Sequence, residues 1–144
     1  MWQGHPEKRL AAWVDLRNSC KDNPNIEQVI TNIHDWWQQA PMVLRYLHCD
    51  LVEDWPDPWD LLAENTYCSL AKCLGICYTI RMLQRQDIES VCITEVDHND
   101  YIVQVNNGLY TLNWNVDKLV NMETLENVKI TRNIDSAMFE HKIR

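Results

Sequence analysis

Three cysteines share the stretch NTYCSLAKCLGICYTIRML, which runs from Asn65 to Leu83. Cysteine can ligate a soft metal, attack an acyl carbon, or simply fill a core, and spacing separates the three. Zinc sites pair their ligands closely, as in C-x-x-C, with a second pair further along the chain. Cys68, Cys73 and Cys77 lie five and four positions apart instead. At about 100° per residue, Cys68 and Cys77 fall on opposite sides of a helix and cannot share an ion. No His or Cys pair nearby completes a site for Cys73 and Cys77, so no metal and no cofactor is expected. Cys68 falls in the first helical turn, where unpaired N–H groups and the helix dipole favour a thiolate. A nucleophilic thiolate needs a base within reach and a group that orients the base. Downstream, His98 stands just before a strand pattern, and Asn113 ends the following strand. The plain alternative is that all three cysteines are small apolar fillers of a buried helix.

The elements that would position these residues can be read from hydrophobic period. Pro6 opens a first helix with Leu10, Trp13, Val14 and Arg17 as its inner stripe. Asn25 caps a second, with Gln28 three residues on and Ile26, Val29, Ile30, Ile33 and Trp37 facing inward, until Pro41 stops it. A short third helix has Asp57 as cap, Pro58 at its first position, and Trp59, Leu62 and Ala63 inside. Asn65 or Thr66 then caps the cysteine helix, which is apolar nearly all round and must be covered on several sides. After QRQD the period becomes strand-like. ESVCITEV carries Val91, Ile93 and Glu95 on one face, YIVQV follows, NNG turns the chain, and LYTLNW returns. VDKLVN reads as a helical turn and NVKITRNI as a fourth strand. The expectation is one α+β domain over 1–144: a helical hairpin at 1–40, linker and central helices at 41–85, and an antiparallel sheet at 88–135.

Composition narrows the function classes. The chain has 144 residues, 46% hydrophobic and 24% charged, enough for one real core and too apolar for wholesale disorder. A net charge of −8 repels phosphate backbones, so no nucleic-acid partner is expected. No apolar run approaches a membrane span, and MWQGHPEKRL lacks the pattern of a signal peptide. The interior of a cell is the expected location, with the six cysteines as free thiols. Seven tryptophans are a surplus. Trp13, Trp37 and Trp59 fit inner faces, whereas Trp2, Trp36, Trp55 and Trp114 fall on no inward stripe and are candidates for a contact surface. His5, His34, His48 and His141 are expected to be surface or capping groups.

Two resemblances add to this reading. CSLAKCLGICYTI followed by YIVQVNNGLYTLNW resembles the transglutaminase-like superfamily of papain-type folds, over about Asn65 to Asn115. That resemblance implies Cys68 as nucleophile, His98 as base and Asn113 as the residue holding the base, in a cysteine hydrolase or acyltransferase acting on amide bonds. The flanking Tyr67 and Ser69 stand where the family has a glycine and an acidic residue. His98 comes about two residues ahead of the family's base position, a shift of roughly 6.6 Å along a strand, beyond hydrogen-bond reach. MWQGHPEKRLAAWVDLRNSC, DWWQQAP, WPDPWDLL and LYTLNW also resemble a family encoded by large contractile-tailed phages of cyanobacteria and other marine bacteria. Its motifs are structural. Together these point to a non-catalytic interaction component of a tailed phage, a virion or assembly protein whose partners are other phage structural proteins or a second copy of itself. The hydrolase is the alternative.

Overall fold

The computed structural model describes residues 2–98, 100–114 and 129–143. Helices come first: α1 at Pro6–Lys21, α2 at Ile26–Gln38, α3 at Pro58–Glu64 and α4 at Ser69–Leu83. The strands follow as β1 at Val91–Val96, β2 at Asp100–Val105, β3 at Tyr110–Leu112 and β4 at Ile130–Asp135. They form one antiparallel sheet in the order β3-β2-β1-β4. The fold is α+β, with α4 lying between the sheet and the other three helices. Every residue of α4 from Leu70 to Ile80 is buried. The expected helical turn at VDKLVN lies outside the described residues.

Several local signals act as their chemistry requires. Asn25 Oδ1 accepts from Gln28 N, and Asp57 Oδ1 from Asp60 N, so both caps satisfy a helix-end donor. Asn106, Asn107 and Gly108 all take positive φ and reverse the chain between β2 and β3. Val91, Ile93 and Glu95 share the face of β1 that turns toward α4, and Glu95 pairs in register with Tyr101 of β2.

The centre of the helical layer is a polar knot inside an apolar core. Thr79 Oγ1 accepts from Trp13 Nε1 at 2.8 Å and from Trp37 Nε1 at 3.0 Å, and it donates to Gly75 O at 2.7 Å. One hydroxyl of α4 thereby fixes an indole from α1 and another from α2. Gly75 makes room for the second. A Cβ there would lie 2.6 Å from Trp37 Cζ2 and closer still to two neighbouring ring atoms.

The inner faces of α1 and α3 differ from the expectation. α1 buries Arg9, Trp13, Leu16 and Cys20, while Val14 is exposed. Arg9 is inside because its guanidinium donates to Leu62 O at 2.7 Å and Ala63 O at 3.1 Å, the orphan carbonyls in the last turn of α3. In α3 the buried residues are Pro58, Leu61 and Leu62; Ala63 is exposed, and Trp59 is half-exposed with its ring edge-on to Trp13.

The four tryptophans assigned to a contact surface also fall differently. Trp2 is 9% exposed and packs with Trp36, Trp37 and Tyr67, ring centroids 4.6 to 5.7 Å apart. Trp55 is buried, with its indole N–H bound to His48 O. Trp36 is partly buried against the core, and Trp114 is 38% exposed. Aromatic rings with neighbouring rings to pack on bury their area there, whatever their helical stripe. All six cysteines are free thiols.

Candidate active site

Cys68 is the N-cap of α4, one step ahead of the first helical turn where it was expected. Asn65 takes a left-handed conformation and closes α3. Residues 66–68 then run extended, with Tyr67 in a parallel bridge to Met42 and Tyr67 O accepting from Val43 N. The helix therefore starts three residues later than an Asn65 cap, and two later than a Thr66 cap, would place it. The Cys68 side chain caps none of the helix's own N–H groups, so these donors lie beside the thiol without a side-chain cap. Cys68 is 2% exposed and lines a pocket of about 200 Å³ with Met42, Val43, Leu44, Arg45, Ser69, Leu70, Asp100 and Tyr101.

Ser69 and Asn113 lock this helix start onto the sheet. Tyr101 stands beyond the end of β3, and Ser69 Oγ takes the place of the missing strand. It accepts from Tyr101 N at 3.1 Å and donates to Tyr101 O at 3.2 Å. Asn113 Nδ2 donates to Tyr101 O at 2.9 Å and approaches Cys73 Sγ at 3.3 Å, while its Oδ1 accepts from Gln38 Nε2 at 2.8 Å. Its backbone N–H donates to Nδ1 of His34. That ring is buried in α2, not at the surface as expected. It sits there because its stripe neighbours Ile30, Ile33 and Trp37 are core residues and because Asn113 supplies a donor.

His98 lies on the hairpin between β1 and β2, whose last register pair is Val96 with Asp100. Asp97 and His98 both take left-handed backbone conformations. The hairpin is held from two sides. Asp97 N donates to Lys129 O at 2.8 Å, and His98 O accepts from Arg45 of the Cys68 pocket at 3.2 Å. The imidazole itself is 73% exposed, and its Nδ1 is 3.9 Å from Glu95 Oε1. The fold thus brings Cys68 and Asn113 to either side of Ser69 and ties the His98 carbonyl to Arg45 of the pocket. It turns the His98 ring toward a carboxylate that the sequence did not single out.

Glu95 is the centre of that second cluster. Tyr101 Oη donates to its Oε2 at 2.9 Å and Thr131 Oγ1 to its Oε1 at 2.8 Å, with Cys49 Sγ 3.6 Å from Oε2. Burial would raise the carboxyl's pKa, but the hydrogen bonds from Thr131, Tyr101 and Cys49 outweigh it and hold the group below its ordinary value. The buried thiols are pushed the other way. Desolvation raises Cys73 and Cys77 far above an ordinary thiol, and Cys20 and Cys92 less. His48, Cys49 and Asp50 bring ligand atoms within 4.8 Å of one another. Arg132 already sits on two of them, donating to Cys49 Sγ at 3.0 Å and to the Asp50 carboxylate.

No family model and no curated protein matches the chain. Among solved structures it is similar to calcium-bound LapG of Legionella pneumophila, at 14% identity and a TM-score of 0.73, covering 93% of this chain and 78% of that one. A second LapG structure from the same organism gives 15% identity, a TM-score of 0.72 and the same coverage. LapG is a transglutaminase-like cysteine protease. The expectation of a non-catalytic phage component is corrected by this finding. Among the described residues no helix is long and apolar enough to cross a membrane. The likeness shows the fold, and that fold is transglutaminase-like.

Proposed function

We propose that the chain is a cysteine hydrolase or acyltransferase acting on amide bonds, with Cys68 as nucleophile and His98 as base. The observation that carries this reading is the place of Cys68. It is the N-cap of a buried helix, on the wall of a pocket, in the fold of a cysteine protease. His98 stands on the hairpin that leads into Asp100 and Tyr101 of that wall, its carbonyl is bound by Arg45 of the same wall, and its ring is exposed. Catalytic hydrogen bonds are often long in an unliganded site and close when substrate binds.

The chemistry follows from these positions. His98 takes the Cys68 proton as Sγ attacks the carbonyl carbon of the amide. The oxygen's developing charge faces the first N–H groups of α4, which are fixed donors at the positive end of a helix. The C–N bond breaks as the imidazolium returns its proton to the leaving amine, and an acyl thioester remains on Cys68. Water or a second amine then attacks the thioester, gives a proton to His98, and the thiol is restored. Asn113 acts from behind. Its bonds to Tyr101 O and toward Ser69 hold the start of α4 against β2.

The test is alkylation. With iodoacetamide near neutral pH, Cys68 is expected to react at least about tenfold faster than Cys20, Cys73, Cys77 or Cys92, and His98→Ala is expected to slow it on the order of tenfold. Peptide mass spectrometry reads both rates. Native Cys68 reacting as slowly as Cys73 and Cys77 would overturn the reading.

A further inference from the structure

A base that shuttles protons needs one ring nitrogen held and the other offered to the nucleophile, and the residue expected to hold it here, Asn113, is engaged elsewhere. Its carboxamide is used on Tyr101, Ser69, Cys73 and Gln38. Glu95 is placed for that task. Its carboxylate is 3.9 Å from His98 Nδ1 and is buried, with the residue 8% exposed. It is also immobilised, because Tyr101 and Thr131 each donate to one of its oxygens.

Thr131 couples the two residues directly. Its hydroxyl has one hydrogen, and the 2.8 Å contact to Glu95 Oε1 takes it. The same oxygen then accepts from His98 N at 3.4 Å. With His98 O bound by Arg45, both sides of the histidine's backbone are tethered within reach of the carboxylate. The ladder between β1 and β4 shifts register between Glu95 and Val96, and this irregularity sits where the strand runs into the hairpin that carries His98.

We infer that Glu95, not Asn113, is the positioning residue for His98: it holds Nδ1–H and leaves Nε2 as the proton acceptor for Cys68. The inference rests on the hydrolase reading, since it assigns a partner to that reading's base. A carboxylate beside one nitrogen selects the tautomer with the hydrogen on that nitrogen. Tyr101 and Thr131 keep the charge in place while the exposed ring moves.

The test combines a spectroscopic signature with rates. In the wild-type protein, two-bond nitrogen–proton NMR of neutral His98 is expected to show the Nδ1–H form as the majority. Glu95→Gln is expected to shift the population to Nε2–H and to slow Cys68 alkylation on the order of tenfold. A Glu95→Gln/His98→Ala double variant should be no slower than His98→Ala alone. If His98→Ala leaves the Cys68 rate unchanged, the hydrolase reading loses its base. If His98→Ala slows Cys68 but Glu95→Gln alters neither tautomer nor rate, this inference is wrong and the hydrolase reading stands. Should Glu95→Gln fail to fold, the wild-type spectrum still decides, because a majority of Nε2–H there overturns the assignment.

Discussion

Thr79→Val is a sharp probe of how the helical layer is held. The substitution keeps the shape of the side chain and removes its oxygen. Two indole N–H groups, from Trp13 and Trp37, lose the acceptor that now binds them at 2.8 and 3.0 Å. Thr79 and both tryptophans are almost fully buried, so water cannot replace that acceptor. Each stranded buried donor costs about 1–3 kcal/mol. The methyl that replaces the hydroxyl returns roughly 0.8 kcal/mol of apolar burial. Gly75 O loses a side-chain donor but keeps its place in the helix ladder. The net loss is about 1–5 kcal/mol, a large share of the roughly 5–15 kcal/mol that stabilises a domain. At roughly 3 °C per kcal/mol for this chain length, Tm falls by about 3–15 °C. Urea unfolding followed by tryptophan fluorescence should show a lower midpoint with an unchanged slope. Thr79→Ser keeps the acceptor and should lose only about 1 kcal/mol, the worth of a methyl. A valine variant as stable as the serine variant would refute the reasoning.

Three further outcomes follow from the same contacts. Gly75→Ala forces a Cβ into the Trp37 ring and should destabilise by about 1–3 kcal/mol despite alanine's better helix propensity, read as a lower urea midpoint. Burial raises the phenols of Tyr67 and Tyr78, so the folded state keeps them neutral where the unfolded chain would ionise. The stability they contribute is complete below pH about 10 and is lost above it, so in an ultraviolet titration both should ionise only as the protein unfolds. Asn113→Ala removes the donor to Tyr101 O and should slow Cys68 alkylation while amide exchange at Ser69 and Leu70 accelerates.

The sequence made the elements legible where one force dominates. An all-apolar helix has to be central, and Asn-Asn-Gly has to turn. It misled where a polar group takes an unusual partner. Arg9 falls outside the apolar stripe of α1 and His34 is expected as a surface or capping group, yet each is buried on a specific backbone group: carbonyls of α3 for Arg9, an amide of Asn113 for His34. Cys68 was displaced by a single backbone choice. Asn65 or Thr66 is expected as the N-cap, but Asn65 serves as the left-handed end of α3, which leaves residues 66–68 before α4. Glu95 was placed on the correct face of β1 but its role was invisible, because Tyr101, Thr131 and His98 converge on it from across the sheet and from the hairpin. Trp2 and Trp55 were read by stripe alone, and both find their packing in long-range partners.

Formation of an acyl-enzyme tests the central claim most directly. Para-nitrophenyl acetate should release nitrophenolate in a stoichiometric burst and leave one acetyl group on the Cys68 peptide, with the burst abolished by Cys68→Ala. Nitrophenolate released without a burst, or acetyl groups spread over lysines with Cys68 unmodified, would contradict the account.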